Sequence, residues 1–433
     1  MTGPQAAERR ELVLRAAVRA RLLDPEDALL AAFVDLDAVA ANVAALHRAF
    51  PDGGDVLHTF AAKANCLVPV LERLRGHGMG CEVASPGELA QALAAGFAPD
   101  RIVLDSPAKT RRELRHALDL GVAVNADNLQ ELSRIDAILD DRGSRSRIGV
   151  RLNPQVGSGS IGATSTATAT SKFGVPLEDP GNAELLLRAY RDRPWLTWVH
   201  VHVGSQGCTL DLMAEGVARA VAFAEQVDSA VGRRQVVGID IGGGLPVDFA
   251  GDAADPGFDA YVDRLRARAP ALFDGGYRVI TEFGRALLAK SGFTAAFVEY
   301  TKTSGGRRIA VTHAGAQVAA RTVFMPDAWP LRISAHDPTG AAKEGEPTLQ
   351  DVAGPCCFSG DLVARARPLP LLEPGDIVAL LDTGAYYATT PFGYNSLPEP
   401  AVHGVTVAAD GTVRFDVLRP AQTVEDLLAR TGG

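Results

Sequence analysis

The chain has 433 residues, of which 47% are hydrophobic and 22% charged, so it can bury a large core and is neither disordered nor of low complexity. Its formal net charge of -9 argues against a nucleic-acid binder, which would show a basic face, and no run of about 18 apolar residues suggests a membrane span. Cys66, Cys81, Cys208, Cys356 and Cys357 are odd in number and lack zinc-site spacing, so a reduced, cytoplasmic setting is expected.

The N-terminus opens on Glu8, Arg9, Arg10 and Glu11, with no apolar stretch of the kind a signal peptide needs. Length alone suggests about two or three domains. Phe33 to Leu36 reads as an early strand that pairs with a later β-rich part of the chain, and Ala38 to Phe50 reads as a helix. From about residue 57 to 282, short apolar runs alternate with longer helical patterns, which is the signature of βαβ units. Eight strands are expected: Leu57 to Ala62, Gly80 to Ala84, Arg101 to Leu104, Val122 to Val124, Arg147 to Leu152, Trp198 to Val203, Val236 to Ile241 and Arg278 to Thr281. Segments such as Pro86 to Ala95, Arg111 to Leu120 and Leu210 to Val231 carry apolar residues at helical spacing between them. Eight such units make an α/β fold, a closed (β/α)8 barrel over residues 37–290.

The stretch Gly157 to Thr170 is rich in Gly, Ser, Thr and Ala and is expected to be a mobile loop. From about Gly292 onward, runs such as Arg308 to Val311, Ile377 to Leu381 and Val413 to Val417 are short, β-rich and broken by Gly and Pro. They predict an all-β C-terminal domain, made of residues 291–433 together with residues 1–36.

A barrel carries its chemistry at the C-terminal ends of its strands. Here the first strand ends on Lys63, the second on Glu82, the sixth on His202, the seventh on Gly242 to Gly244 and the eighth on Glu282. A lone lysine at a loop edge is more often an ordinary surface residue, and a triple glycine is more often a turn. Together with Gly284 and Arg285, however, the glycines supply backbone N–H groups and a guanidinium where barrels bind phosphate, which suggests a phosphorylated cofactor. His200 and His202 share a strand face and could form a metal pair. No further Asp/His ligand set is evident at the other strand ends, so no metal is expected and His200 reads as barrel packing.

The runs FAAKAN around Lys63, SKFG (Ser171 to Gly174), HVHVGSQ (His200 to Gln206), DIGGGLP (Asp240 to Pro246), EFGR (Glu282 to Arg285), GPCCFSGD (Gly354 to Asp361) and DTGAYY (Asp382 to Tyr387) occur in order. This pattern resembles the fold-type III decarboxylases that use pyridoxal 5'-phosphate (PLP), the group of diaminopimelate and ornithine/arginine decarboxylases, whose barrel is alanine racemase-like. The resemblance covers about Phe33 to Val402. It implies a PLP-dependent carboxy-lyase acting on a small amino-acid substrate in the cytoplasm, as a homodimer with shared active sites.

The resemblance also implies roles. Lys63 binds the cofactor aldehyde covalently and later carries protons, which needs an amine able to lose its charge. Glu282 faces the pyridine nitrogen and keeps it protonated, the form that accepts electrons best. His202 stacks on the ring, while Ser205, Gly243, Gly244, Gly284, Arg285 and Tyr386 hold the phosphate end. Cys357 reaches the partner's site and returns a proton to Cα, chemistry suited to a thiol, whereas the neighbouring Cys356 reads as a buried packing residue. Asp361 joins Cys357 in that shared site.

Three departures bear on specificity. Phe358 stands where the diaminopimelate and ornithine enzymes carry an acid that pairs with the distal ammonium, and an apolar ring cannot stabilise that charge. A substrate lacking a simple distal ammonium is therefore expected. The substrate-carboxylate arginine falls on Arg321 in an ungapped reading followed by Thr322 and Met325, whereas a gapped reading matches Met325, Pro326 and Trp329 instead. EFGR replaces the usual EPGR, so Phe283 alters only local backbone stiffness. A racemase or epimerase on the same scaffold, with Cys357 or a tyrosine as second acid/base, stays open. So does a non-catalytic regulatory homologue, although Lys63, His202, Glu282, Arg285 and Tyr386 are all present.

Overall fold

The computed structural model describes residues 3–50, 55–253, 255–274 and 276–433. Strand β1 (Leu30–Asp35) belongs to a mixed sheet. The next strands are β2 (Val56–Ala61), β3 (Gly80–Val83), β4 (Ile102–Asp105), β5 (Ala123–Ala126), β6 (Ile148–Asn153), the two-residue β7 (Val175–Pro176), β8 (Leu196–Val201), β9 (Gly238–Asp240) and β10 (Arg278–Phe283). All these pairings are parallel, and β10 pairs with β2 while β5 pairs with β6, so eight strands close in the order β2-β3-β4-β5-β6-β8-β9-β10 with β7 beside β6. The expected α/β barrel is present, and each of the eight expected strands overlaps an observed one.

Local sequence explains the strand-to-helix crossovers. Ser85, Thr110, Asn128 and Thr209 each cap the N-terminus of the next helix by accepting a backbone N–H three residues on. Thr110 and Glu113 form a full capping box, and the helix Arg111–Leu120 ends on Gly121 in the left-handed region. Short loops with built-in caps leave little freedom in how each strand delivers its last residues.

Two strand ends differ from expectation in a way that matters for the site. β4 runs one residue further, to Asp105, and β5 runs two residues further, to Ala126, so the polar residues Asp105 and Asn125 lie in the barrel wall. The expected strands stopped at Leu104 and Val124, where the apolar runs end.

The stretch Gly157 to Thr170, expected to be mobile, is instead hydrogen-bonded in place. Thr166 N and Ala167 N donate to Val203 O, Thr164 Oγ1 donates to Gln206 O at 2.6 Å, and Ser165 pairs with Gly204. Small polar side chains read as a flexible linker from composition alone, but here their hydroxyls serve the backbone of the loop after β8.

The chain divides into two compact units: Asn42–Val247 with Asp255–Ala286, which holds the barrel, and Met1–Ala41 with Asp248–Ala254 and Leu287–Gly433. The second unit contains β1 and β11 (Gly292–Ser304), β12 (Arg307–Thr312), β13 (Ile333–His336), β14 (Thr348–Ala353), β15 (Leu362–Leu369), β16 (Ile377–Leu381), β17 (Ala401–Val407) and β18 (Val413–Arg419). Its main path is β15-β14-β12-β11-β1-β17-β18, with β16 on β11 and β13 on β16. As expected, the early strand joins this sheet: Phe33 lies opposite Phe293 in β11 and His403 in β17. The unit is β-rich but also holds the helices Gly3–Arg19, Ala316–Phe324 and Val424–Arg430. The first of these buries Val13, Leu14 and Ala17 against Phe33, Phe297 and Ile377.

Arg332 ties this unit's loops together. Its guanidinium grips the buried Asp382 carboxylate at 2.9 and 3.0 Å and reaches Asp252 at 2.6 Å. Asp382 opens the segment that carries Tyr386, and it sits at φ 63, a strained conformation for a non-glycine residue. Arg332→Ala leaves Asp382 with Lys290 at 3.5 Å as its remaining cation partner among the described residues. Breaking a buried pair of this kind is expected to lower stability by about 3 kcal/mol, measured as a shift in the urea midpoint.

Candidate active site

The C-terminal ends of the barrel strands bring together Lys63, Glu82, His202, Ser205, Gly243, Gly244, Glu282, Gly284 and Arg285. Lys63 sits in a single 3-10 turn directly after β2, and its Nζ contacts both carboxylate oxygens of Glu82, at 2.8 and 3.0 Å. Glu82 is fully buried, and burial pushes its carboxyl up to about 7 even though Lys63 opposes the shift. The Lys63 side chain remains 42% exposed.

His202 follows β8, and its Nδ1 accepts the Gly243 N–H at 3.1 Å. An imidazole nitrogen that accepts cannot also carry a proton, and burial drives the ring's pKa well down. His202 is therefore a neutral, Nε2-protonated ring with a fixed plane. The glycines beside it are required by close approach. A Cβ on Gly243 would lie 2.0 Å from the Glu282 carbonyl oxygen, and one on Gly244, which also has φ +93, would lie 1.8 Å from the Gly204 carbonyl oxygen. Arg285 Nη2 lies 3.4 Å from Ser205 Oγ, which places a guanidinium and a hydroxyl beside this glycine backbone.

Beneath the mouth, the barrel interior is ionic. Asp105 accepts from Arg151 at 3.1 Å, and Asp240 accepts from Asn125 Nδ2 and Gly242 N, both at 3.0 Å. Burial raises the Asp240 carboxyl to about 7, and it shares a hydrogen bond with Glu282, whose own pKa is pushed well up by burial and by the nearby Asp240, Glu82 and Asp105. For Asp105 burial would raise the pKa, but His200, Arg151, Lys109 and Lys63 together outweigh it and hold the carboxyl below its usual range.

His200, expected to be plain packing, lies between two of these acids, with Nδ1 3.6 Å from Asp105 and Nε2 3.7 Å from Glu282. The expectation that no Asp/His set occupies the strand ends is also corrected, since donor atoms of Asp105, His200 and Glu282 lie within 4.8 Å of one another. The two acids approach opposite nitrogens of one ring, so the imidazole stands between the two carboxylates.

The other anticipated residues form a group in the β-rich unit. Arg321 is sandwiched between the rings of Tyr386 and Trp329, at 4.5 and 4.8 Å, and its buried Nη1 has no hydrogen-bond partner. Both sequence readings of this segment thus meet in space, because Arg321 and Trp329 touch. Tyr386, expected at the phosphate, here covers Arg321. Cys357 is exposed and Cys356 is buried. Phe358 stacks on Phe324 with centroids 5.6 Å apart, edge-on to Phe392 and Tyr394.

Asp361, expected to contact substrate, is buried with both oxygens in use: Oδ1 accepts from Ala316 N at 2.6 Å and Oδ2 from Cys356 N at 2.7 Å. It clamps the Cys356 turn to the start of the helix Ala316–Phe324. The sequence could not separate the two roles, because an acid near a reactive cysteine reads the same in either.

Residues 36–289 match the sequence profile described as pyridoxal-dependent decarboxylase, pyridoxal binding domain. The chain belongs to this family. It is 32% identical over 397 residues to diaminopimelate decarboxylase of Pseudomonas fluorescens and 31% identical over 394 residues to that of Pseudomonas aeruginosa, each match covering 90% of both chains. Its fold matches a crystal structure of diaminopimelate decarboxylase from Helicobacter pylori complexed with L-lysine, with a TM-score of 0.81, 26% identity, and coverage of 96% of this chain and 99% of that one.

This pyridoxal-dependent decarboxylase is accordingly a carboxy-lyase that uses PLP and acts on an amino acid. The residues present fit that cofactor: a part-exposed lysine side chain at Lys63, a buried acid at Glu282, a flat neutral ring at His202, and a cradle of glycine, Ser205 and Arg285 that a Cβ would fill. Among the described residues no helix is long and apolar enough to cross a membrane.

The raised pKa of Glu82 carries a sign. Its folded value of about 7 lies above an unfolded value near ~4, so between these pH values the native state holds a proton that the unfolded chain releases. Stability from this site therefore falls as pH rises from about 4 to about 7 and stays lower above. In cofactor-stripped protein, Glu82→Gln should gain stability relative to the unaltered chain on moving from pH 5 to pH 8, by on the order of 1 kcal/mol, read from paired urea titrations.

Proposed function

We propose that this decarboxylase removes the α-carboxylate of an amino acid whose distal end carries no simple ammonium. The observation that supports this is Phe358, whose ring lies within a cluster of Phe324, Phe392 and Tyr394. A cation delivered to such a wall would lose water without gaining an anion. The names of the relatives favour a second reading, diaminopimelate itself, which carries a distal ammonium.

In the proposed reaction the cofactor supplies an electron sink for the pair of electrons left when CO2 departs. Lys63 offers its amine to the cofactor aldehyde and later moves a proton at Cα. Glu282 faces the ring nitrogen and His202 packs on the ring face. Ser205, Gly243, Gly244, Gly284 and Arg285 hold the phosphate end. Arg321, whose buried Nη1 lacks a partner, receives the substrate carboxylate that is retained or lost. The Cys357 thiol returns a proton to Cα. Five cysteines free of disulfides suit a cytoplasmic setting.

The test is turnover of a panel of D- and L-amino acids, with CO2 and amine both followed. Uncharged distal groups should be preferred, and Phe358→Glu should shift relative kcat/KM toward diaminopimelate and ornithine by about tenfold, equivalent to about 1.4 kcal/mol. Efficient turnover of diaminopimelate by the unaltered enzyme would establish the second reading, and inversion of substrate without CO2 release would establish a racemase.

The exposed Cys357 further supports a homodimer in which each site borrows this thiol from the partner. Mixing Lys63→Ala chains with Cys357→Ala chains should then restore about a quarter of the activity, from the one intact site in each hybrid dimer. No recovery after verified subunit exchange would count against the shared site.

A further inference from the structure

One chain of buried polar groups crosses the barrel and, apart from its last member, has no role in the reaction as outlined. It runs from Arg151 on β6 through Asp105 on β4 and His200 on β8 to Glu282 on β10. Arg151 is bound to Asp105 Oδ2 at 3.1 Å. Beyond that bond, Asp105 Oδ1, both ring nitrogens of His200 and Glu282 Oε1 are buried with no hydrogen-bond partner. Four such atoms in one place are far from ordinary packing, because buried polar atoms are normally satisfied. The gaps of 3.6 and 3.7 Å on either side of the imidazole exceed a hydrogen bond by only a few tenths of an ångström, which a small side-chain rotation closes.

The order of charges dictates where the protons go. Arg151 keeps Asp105 ionised, so the His200 nitrogen facing it must carry a hydrogen, since a lone pair there would oppose an anion. The ring is fully buried and faces Lys63, Lys109 and Arg151 as well as the acids, and burial first, opposed by Asp105, keeps it neutral. With Nδ1 protonated, Nε2 is a bare acceptor aimed at Glu282 Oε2. Glu282 also faces Lys63, Glu82 and Asp240, and Asp240 already accepts from Asn125 and Gly242.

We infer that Asp105 and His200 are positioning residues for Glu282: Asp105 fixes the Nδ1-protonated tautomer of His200, and bare Nε2 holds the Glu282 proton on Oε2, leaving Oε1 as the acceptor for the N–H of the cofactor's protonated ring nitrogen. The device is the tautomer lock of an acid–imidazole pair, applied to a third carboxyl. It rests on the reading that Glu282 faces the cofactor, which deepens the proposed function. Asp105 acts only through His200.

The experiment reads the tautomer directly, by 15N NMR of histidine-labelled holoenzyme, with His200→Gln identifying the signal by its loss. The unaltered enzyme should show a neutral His200 protonated on Nδ1. In Asp105→Asn the amide oxygen must face Arg151, so its NH2 turns toward His200 and should move the ring proton to Nε2. The same variant should lose about tenfold in kcat with KM changed less than about twofold, as expected for a group that positions the reacting array and does not bind substrate. A doubly protonated or Nε2-protonated His200 in the unaltered enzyme, or a tautomer unchanged in Asp105→Asn, would overturn the inference. So would a stoichiometric metal ion, found by mass spectrometry, that disappears in His200→Gln.

If Asp105→Asn does not fold, a neutron structure of the unaltered holoenzyme locates the same proton and decides the matter. Failure of the underlying reading is a separate result. Borohydride would then not capture the cofactor on Lys63, whatever the His200 tautomer.

Discussion

The organising constraint in this protein is the burial of four carboxylates carried by the barrel strands, Glu82, Asp105, Asp240 and Glu282. Each would keep its charge in water, and each must be neutralised, paired or protonated once water is removed. The barrel meets this with one partner per acid drawn from a different strand: Lys63 for Glu82, Arg151 for Asp105, and Asn125 with the Gly242 N–H for Asp240. Glu282 is left beside Asp240 and the His200 imidazole, its carboxyl pushed up by burial and by the neighbouring acids.

The surrounding architecture is built to hold this array still. Capping residues at the strand-to-helix loops fix where each strand ends, and a strand that ended one residue earlier would turn Asp105 out of the wall. The glycines after β9 let backbone approach backbone so closely that any side chain there would collide with the β10 or β8 ends. The hydroxyl-rich segment from Gly157 to Thr170 then binds the loop after β8 through Thr164, Ser165 and Thr166, which restrains the residues beside His202 and Ser205.

In the β-rich unit the same economy of partners appears. Asp361 organises the turn that presents Cys357 and Phe358, and Arg332 holds Asp382 at the start of the segment that delivers Tyr386. Arg321 stands apart, because it is stacked on two rings yet keeps a buried nitrogen without an acceptor. Leaving such a donor unsatisfied is costly.

Much of this was determined by the sequence alone. The alternation of apolar runs with helical spacing predicted eight barrel strands, because that periodicity is local and survives without knowledge of the fold. Lys63, His202, the Gly242 to Gly244 run, Glu282 and Arg285 stood out because strand ends can be located from the same pattern. What only the tertiary structure decided is which polar residues meet. Asn125 and Asp240 are hydrogen-bonded across 115 residues of chain, and Arg151 and Asp105 across 46, distances over which no spacing rule operates. Asp105 lay just beyond an expected strand and His200 looked like packing, because the role of a buried charged group is fixed by the partner that neutralises it, and that partner is chosen by the closed barrel and not by its neighbours in sequence.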